Sequence, residues 1–325
     1  MSTANQSLAA SSTTHKRFDF STFFADYIAY LALVLVVVVF GLLAPDRFLT
    51  WSNVSTILQN SAVLCLVAIG LTFVIIGGSI DLSVGSNMAL AGVCAAMLTP
   101  ELGAWSLLVA VTVGGLVGAL NGAMFVWGRI PSFVVTLGML SIARGLTVII
   151  TSGTPVSIPL SSSFNDLGNP PVPLIIMTVI AVVMGLLLKF TTFGRYVFAI
   201  GGDEEKSNIL GVPVKGSKLA MFIIAGLMAG IGGGVMTAQI GSGSPTTGIG
   251  FELMAISAVV IGGTALTGGL GSITGTVVGS LVMTALANGL VIMGVPTNVQ
   301  TVLTGVVLIL AVLISMRRGK LRIIK

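Results

Sequence analysis

Apolar runs of nearly membrane-spanning length recur from one end of this sequence to the other, with only short polar breaks between them. They cover 27–44, 54–77, 83–99, 104–127, 133–150, 172–190, 219–240, 251–267, 271–293 and 298–316. A helix needs about 20 apolar residues to cross a bilayer, so 83–99 and 251–267 are the short members. Only 8% of the residues are charged and 55% are hydrophobic, whereas a soluble domain carries about 25% charged residues. Mean hydropathy is +1.09. Too little polar surface exists to cover a globule. The expected fold class is all-α: a polytopic transmembrane helical bundle of about ten spans at 27–316, solvated by the lipid bilayer. Polar tails are expected at 1–26 and 317–325.

The basic residues set the orientation. Five of the fifteen lie in the C-terminal MRRGKLRIIK, five in 189–218, and Lys16 and Arg17 precede the first run. Lysine and arginine favour the cytoplasmic side, so both termini and the 191–218 loop are predicted to be cytoplasmic. Ten spans satisfy that parity. Arg129 also falls inside; Arg47, beside Asp46, falls outside. Trp51, Trp105 and Trp127 mark span ends, as interfacial indoles do. Basic residues spread over segment ends form no patch, so no nucleic-acid partner is expected. The first run lacks a small-x-small cleavage site and reads as an uncleaved span. The outer loop 151–171 reads as irregular, with at most a short surface helix; contact with an external delivery protein and a plain solvated connector are both open.

Gly114, Gly118 and Gly122 form one row of small residues. Gly226, Gly230 and Gly234 form a second, and Gly271, Gly275 and Gly279 a third. That spacing lets helix backbones approach closely, and plain helix packing is the expected role. A faint echo links NGAMFVWGRIPSF, beginning at Asn121, with NGLVIMGVPTNV, beginning at Asn288. The two lie five spans apart and would run in opposite directions, the mark of an inverted five-span repeat.

Several chemistries find no residues. No G-x-x-x-x-G-K-[ST] loop is present, so the chain has no ATPase site of its own. The single His15 lies in the N-terminal tail, and Cys65 and Cys94 sit within apolar runs as packing residues. No catalytic, cofactor or metal residues are expected.

Polar residues inside apolar runs carry more information. A charge at membrane depth costs about 2.5–3.5 kcal/mol on insertion scales, so Asp81, Arg144 and Glu252 are expected to face the bundle or a wet path. Plainer roles also fit: a helix N-cap for Asp81, an interfacial carboxylate for Glu252, backbone or acid pairing for Arg144. Asn60, Asn87, Asn121, Gln239 and Asn288 suit neutral hydrogen bonding, between helices or to a hydroxyl-rich solute. Asn60, Asp81, Asn121, Arg144, Gln239, Glu252 and Asn288 are the candidate pathway residues.

The long polar island is Thr191–Lys218. Thr192–Ile200, with Gly194 and Arg195, reads as continuing out of the sixth span. Gly201–Gly202 reads as a break. Asp203, Glu204 and Glu205 then open a short amphipathic helix, where the helix dipole favours acids. Ile209 and Leu210 give it an apolar face, and Gly211 with Pro213 stop it. Such a helix, held parallel to the membrane, is a docking element for an energy-supplying partner.

The chain resembles permease subunits of ribose-type sugar ATP-binding-cassette importers, the binding-protein-dependent inner-membrane component family. The resemblance rests on IDLSVGS at 80–86, TLGMLSIARGLT at 136–147, TTFGRYVFAIGGDEEKSNILGVPV at 191–214, PTTGIGFELMAISAVVIGGTALTGGLGSITGT at 245–276 and NGL at 288–290. It implies monosaccharide import through a channel built from two copies or from this chain and a paralogue. It implies a separate cytoplasmic ATPase subunit that holds ATP and magnesium, and a periplasmic or extracellular sugar-binding protein. It implies a cell inner membrane location and makes the 191–218 loop the coupling helix. Asp203 stands where the family usually has Asn, and Lys206 where it has a small residue, which alters partner contacts. The competing classes are a gradient-driven secondary transporter using Asp81, Arg144 or Glu252, and a membrane scaffold or receptor subunit.

Overall fold

The computed structural model describes residues 20–322, and side chains over 27–313. The N-terminal tail before Phe20 and the last three residues of the basic tail lie outside the described residues. The helices are α1 (Phe20–Leu43), α2 (Pro45–Phe48), α3 (Trp51–Ile76), α4 (Val84–Leu102), α5 (Ser106–Val126), α6 (Ser132–Thr151), α7 (Val172–Phe190), α8 (Thr192–Gly202), α9 (Glu204–Ile209), α10 (Val214–Ile240), α11 (Phe251–Ile261), α12 (Ile273–Ile292) and α13 (Thr297–Arg322). Each apolar run of the sequence became a helix. Among the described residues, six stretches are long and apolar enough to cross a membrane: α3, the α4–α5 stretch, α6, α7, α10 and α12. Shorter apolar helices cover Tyr27–Leu43, Phe251–Ile261 and Thr297–Leu313. The protein is a polytopic helical membrane protein.

Helix α3 is the central pillar. Every residue from Ser61 to Ile76 is buried, whereas α7 fully buries only Pro173 and Leu188, packs Met177, Ile180 and Met184 partly buried against the core and exposes Ile175, Val179, Val182, Val183 and Leu186. Chain reversal between α4 and α5 is tight. Gly103 adopts a positive φ of 52°, starts a single 3-10 turn to Trp105, and folds α5 back against α4.

The glycine rows are the closest helix contacts. A β-carbon placed on Gly114 would lie 2.7 Å from the Gly230 Cα, and one on Gly118 would lie 3.0 Å from the Gly226 Cα. The first two rows therefore pack backbone to backbone and join α5 to α10. In the third row, Gly275 meets the Gly262 carbonyl and Gly279 meets the Ala258 carbonyl, joining α12 to the end of α11.

Two segments leave the helical path, one inside the bundle and one at its edge. Residues 79–83 precede α4 with no regular structure, and Ser79, Asp81 and Ser83 are buried there. Residues 244–250 form successive turns before α11. Helix α11 is 11 residues long, about 17 Å at 1.5 Å per residue, against a hydrocarbon core about 30 Å thick. Non-helical backbone among spans needs partners within the protein: the first segment is largely buried, and in the second Pro245, Thr247 and Gly248 are buried while Thr246 and Ile249 are exposed. This explains the short runs at 83–99 and 251–267.

The loop at 151–171 is more ordered than its composition suggested. Its strand β1 (Val156–Ser157) pairs antiparallel with β2 (Ser242–Gly243), the Ile158 amide donates to the Gly241 carbonyl at 3.0 Å, and Phe164 is fully buried. A 3-10 turn at Asn165–Gly168 takes the place of the short helix.

The α5–α10 contact leaves no room for side chains. Gly118→Val is expected to destabilise the bundle by about 1–3 kcal/mol through overpacking, whereas Gly138→Val, whose β-carbon would meet nothing within 4 Å, should be close to neutral. Thermal unfolding of the two purified variants checks the contrast.

Candidate functional site

Three of the seven pathway candidates converge. Asn60 on α3, Gln239 on α10 and Asn288 on α12 line one cavity of about 390 Å³. Thr56 and Thr284 join them, one helical turn from Asn60 and Asn288 respectively. The apolar wall includes Met236, Phe251 and Met254. Gln239 Nε2, Thr284 Oγ and Asn288 Oδ1 are buried without a partner. A buried polar atom with no hydrogen bond costs about 1–3 kcal/mol, so these three atoms are open to a polar partner in the cavity. The two threonines escaped the sequence reading. The signal available was the i, i+4 spacing that puts each on the face of its asparagine.

The four other candidates lie elsewhere. Asp81 does not cap α4, whose N-cap is Ser83. Instead its Oδ1 accepts from the Ser83 amide at 2.8 Å and the Ser83 hydroxyl at 2.7 Å. Asn121 donates to the same hydroxyl at 2.8 Å, and Asn87 donates to the Gly114 carbonyl at 3.2 Å. This network fixes the irregular segment 79–83 on α5. Arg144 Nη1 donates to the carbonyls of Pro245 (2.5 Å) and Thr247 (2.8 Å). Glu252, in the first turn of α11, attracts the same guanidinium and lies against Gly85 in the first turn of α4. Arg144 thus fastens the irregular segment before α11 to α6. Asp81, Arg144 and Glu252 hold the two irregular segments, and none of them lines the cavity.

The 191–218 loop forms the second functional region. Thr191 is extended, with φ −96° and ψ 162°, so α8 is a separate helix and not the expected continuation of the sixth span. Thr191 caps it by accepting from the Gly194 amide at 3.2 Å. Gly201 and Gly202 end α8, and the break comes two residues later than expected, at Asp203. Asp203 caps α9 by accepting from the Lys206 amide at 3.0 Å. Its hydrogen bond to the Lys206 ammonium, 2.8 Å away, holds the Asp203 carboxyl below the usual carboxylate range and raises Lys206. Glu205 is exposed in the first turn. Gly211 closes the helix with a φ of 81° and Pro213 caps α10. Arg195 is exposed on α8. Ile209 and Leu210 face outward, 77% and 82% exposed. The apolar end of α9 therefore rests on nothing among the described residues.

Two braces tie this loop to the bundle. Lys218, buried in the second turn of α10, pairs with Glu204 at 2.5 Å and lies over the Phe125 ring, 4.6 Å from its centroid. The second brace is a glycine junction. The Gly269 amide donates to the Ile76 carbonyl at 2.8 Å, and Gly201 packs on that same carbonyl. A β-carbon on Gly268 would lie 3.0 Å from both the Gly201 and Gly78 Cα atoms. The junction joins the ends of α8 and α3 to the segment that leads into α12. The Lys218–Phe125 contact did not stand out in the sequence, and Gly268–Gly269 stood out only as part of a glycine-rich run and not as a packing junction.

The family model described as branched-chain amino acid transport system / permease component matches residues 53–312. The ribose import permease protein RbsC of Escherichia coli strain K12 is 36% identical, over 89% of this chain and 92% of the relative. The D-allose transport system permease protein AlsC of the same strain is 37% identical, over 91% and 93%. RbsC of Bacillus subtilis strain 168 is 36% identical, over 94% and 98%. No solved structure matches. The chain belongs to the branched-chain amino acid transport system / permease component family, and within it is similar to the ribose-type sugar permeases.

Proposed function

We propose that this chain is the membrane-spanning subunit of an ATP-binding-cassette importer that carries a monosaccharide across the cell inner membrane. The observation that carries this reading is the α9 element. It is a capped helix with an outward apolar end at Ile209 and Leu210, braced to the bundle by Lys218 and by the glycine junction. A connector needs no such bracing; a helix pushed by a partner does. The relatives, described as ribose, allose and xylose permeases, supply the cargo class.

On this reading α1, α3, α4, α5, α6, α7, α10, α11, α12 and α13 are the ten spans, and both termini and α9 are cytoplasmic. The two irregular segments before α4 and α11 are counterparts in an inverted repeat. A separate ATPase subunit binds ATP and magnesium, and this chain holds neither. A sugar-binding protein delivers cargo from outside, and a second copy or a paralogue completes the channel. Closure of the ATPase moves α9, and the braces pass that movement to α3, α10 and α12. The gradient-driven alternative needs Asp81, Arg144 or Glu252 free to titrate along a path. Each is engaged with the chain's own backbone, which favours the ATP-driven reading.

Ile209→Asp combined with Leu210→Asp should abolish ATP-driven sugar uptake and co-purification of the ATPase subunit, with membrane abundance of the chain preserved. Retained uptake would overturn the reading of α9. The cap gives a finer test. Asp203→Ala should lower uptake, whereas Asp203→Asn, which keeps an accepting oxygen, should retain most of it; equal losses would refute a capping role. Because the Asp203 carboxyl sits below its ordinary range, its contribution is complete above the unfolded Asp pKa and is lost as pH falls through the folded value. Amide exchange across α9, followed from neutral to acid pH, should show that loss.

A further inference from the structure

We infer that the cavity between α3, α10, α11 and α12 is a binding stop for one sugar ring within the membrane subunit, and that Gln239, Thr284 and Asn288 read its hydroxyls. The inference rests on the transport reading above and assigns that function to a place.

Chemistry narrows the guest. Gln239 offers a donor, Asn288 an acceptor, and Thr284 a hydroxyl able to do either. Exchanging oxygen and nitrogen in either amide leaves donors and acceptors facing the same space. A carboxylate cannot donate to an acceptor, and an ammonium cannot accept from a donor. A sugar hydroxyl does both. No charged side chain lines the cavity, so an ion entering it would lose hydration with nothing to replace it. Phe251, Met236 and Met254 supply the apolar surface that the C–H faces of a sugar ring require.

Size and position agree. A volume of about 390 Å³ is near the lower end of small-molecule pockets, which suits one ring and not a chain of them. Asn60 and Thr56 are exposed at the cavity's mouth, whereas Thr284 is buried behind them. The polar lining thus runs from an open mouth to a closed end. Gln239 lies near the far end of α10 from Lys218, and Asn60 lies far along α3 from Ile76. The cavity therefore opens at the end of the bundle opposite α9. On the proposed topology, that is the side from which cargo arrives.

Cysteine labelling and uptake together test this. The complete transporter, with its ATPase and binding protein, carries Asn60→Cys in a background where Cys65 and Cys94 are alanine. A membrane-impermeant maleimide is applied with D-ribose, D-xylose or D-allose present. At a sugar concentration twice its dissociation constant, about one third of sites stay free, so labelling should slow about threefold. Leu160→Cys, 98% exposed on the outer loop, should label at an unchanged rate. In parallel, Thr284→Val and Gln239→Leu should each lower uptake by about three- to tenfold, the worth of one hydrogen bond, and by different factors for the three sugars. A merely structural role would lower all three alike and give no protection. That result, or uptake unchanged in both variants, overturns the cavity proposal. Protection accompanied by uptake that needs a proton gradient and no ATP would retain the cavity and overturn the ATP-driven reading instead.

Discussion

Lipid tails are as apolar as leucine, so helices inside a bilayer gain little by hiding leucine from them. What remains is contact between backbones, and in this protein that contact is concentrated where α5 crosses α10. Gly114 and Gly118 meet Gly226 and Gly230 with no side chain between. The crossing fixes α10 as a rod through the bundle. One end of that rod carries Lys218, paired with Glu204 of α9. The other carries Gln239 in the cavity wall. Everything proposed about force and cargo depends on those two ends moving as one body.

The buried charges have a structural logic. An irregular segment inside a bundle leaves backbone groups that water cannot satisfy. Asp81 and Ser83 satisfy one such segment, and Arg144 satisfies the carbonyls of the other. The helix ends before and after these segments share a device as well. The amides of Gly77, Gly78 and Ser79 close α3 in the same pattern as those of Gly262, Gly263 and Thr264 close α11. Both stops are written IGG followed by a hydroxyl residue. The charges thus stabilise two breaks, which leaves the cavity itself neutral.

Helices were legible from the sequence because apolar run length is a local property. Helix positions needed no knowledge of packing, and neither did Pro213 or the acids opening α9. Polar residues were legible as a set, since any amide in an apolar run must find a partner or a guest. Their grouping was not. Asn60, Gln239 and Asn288 are brought together by three helices far apart in the chain, while Asn121 falls into a different network with Asp81. Nothing local distinguishes those fates. The glycine junction was illegible for a related reason. Gly78, Gly201 and Gly268 each look like an ordinary helix stop, and their contact exists only once α3, α8 and the segment before α12 share one end of the bundle. The end of α8 was misplaced by two residues because paired glycines read as a break, although here they finish the helix and Gly201 lets Ile76 approach.

The arrangement also determines how a push on α9 can reach the cavity. Three of the four helices around it, α3, α10 and α12, have their near ends at the loop. The Ile76 end of α3 bears on Gly201, α10 is joined through Lys218, and α12 follows directly from the Gly268–Gly269 segment. The fourth, α11, is tied to α12 through Gly262 and Gly275. On the proposed coupling, a small displacement of α8 and α9 would act on every wall at once, and rigid helices would carry it the length of the bundle. Packed cores shift between discrete arrangements and do not deform continuously, so the walls would move apart or together as units. A transporter of a neutral solute needs no more than that: a guest held by a few amides and hydroxyls is released when those groups separate by the length of a hydrogen bond.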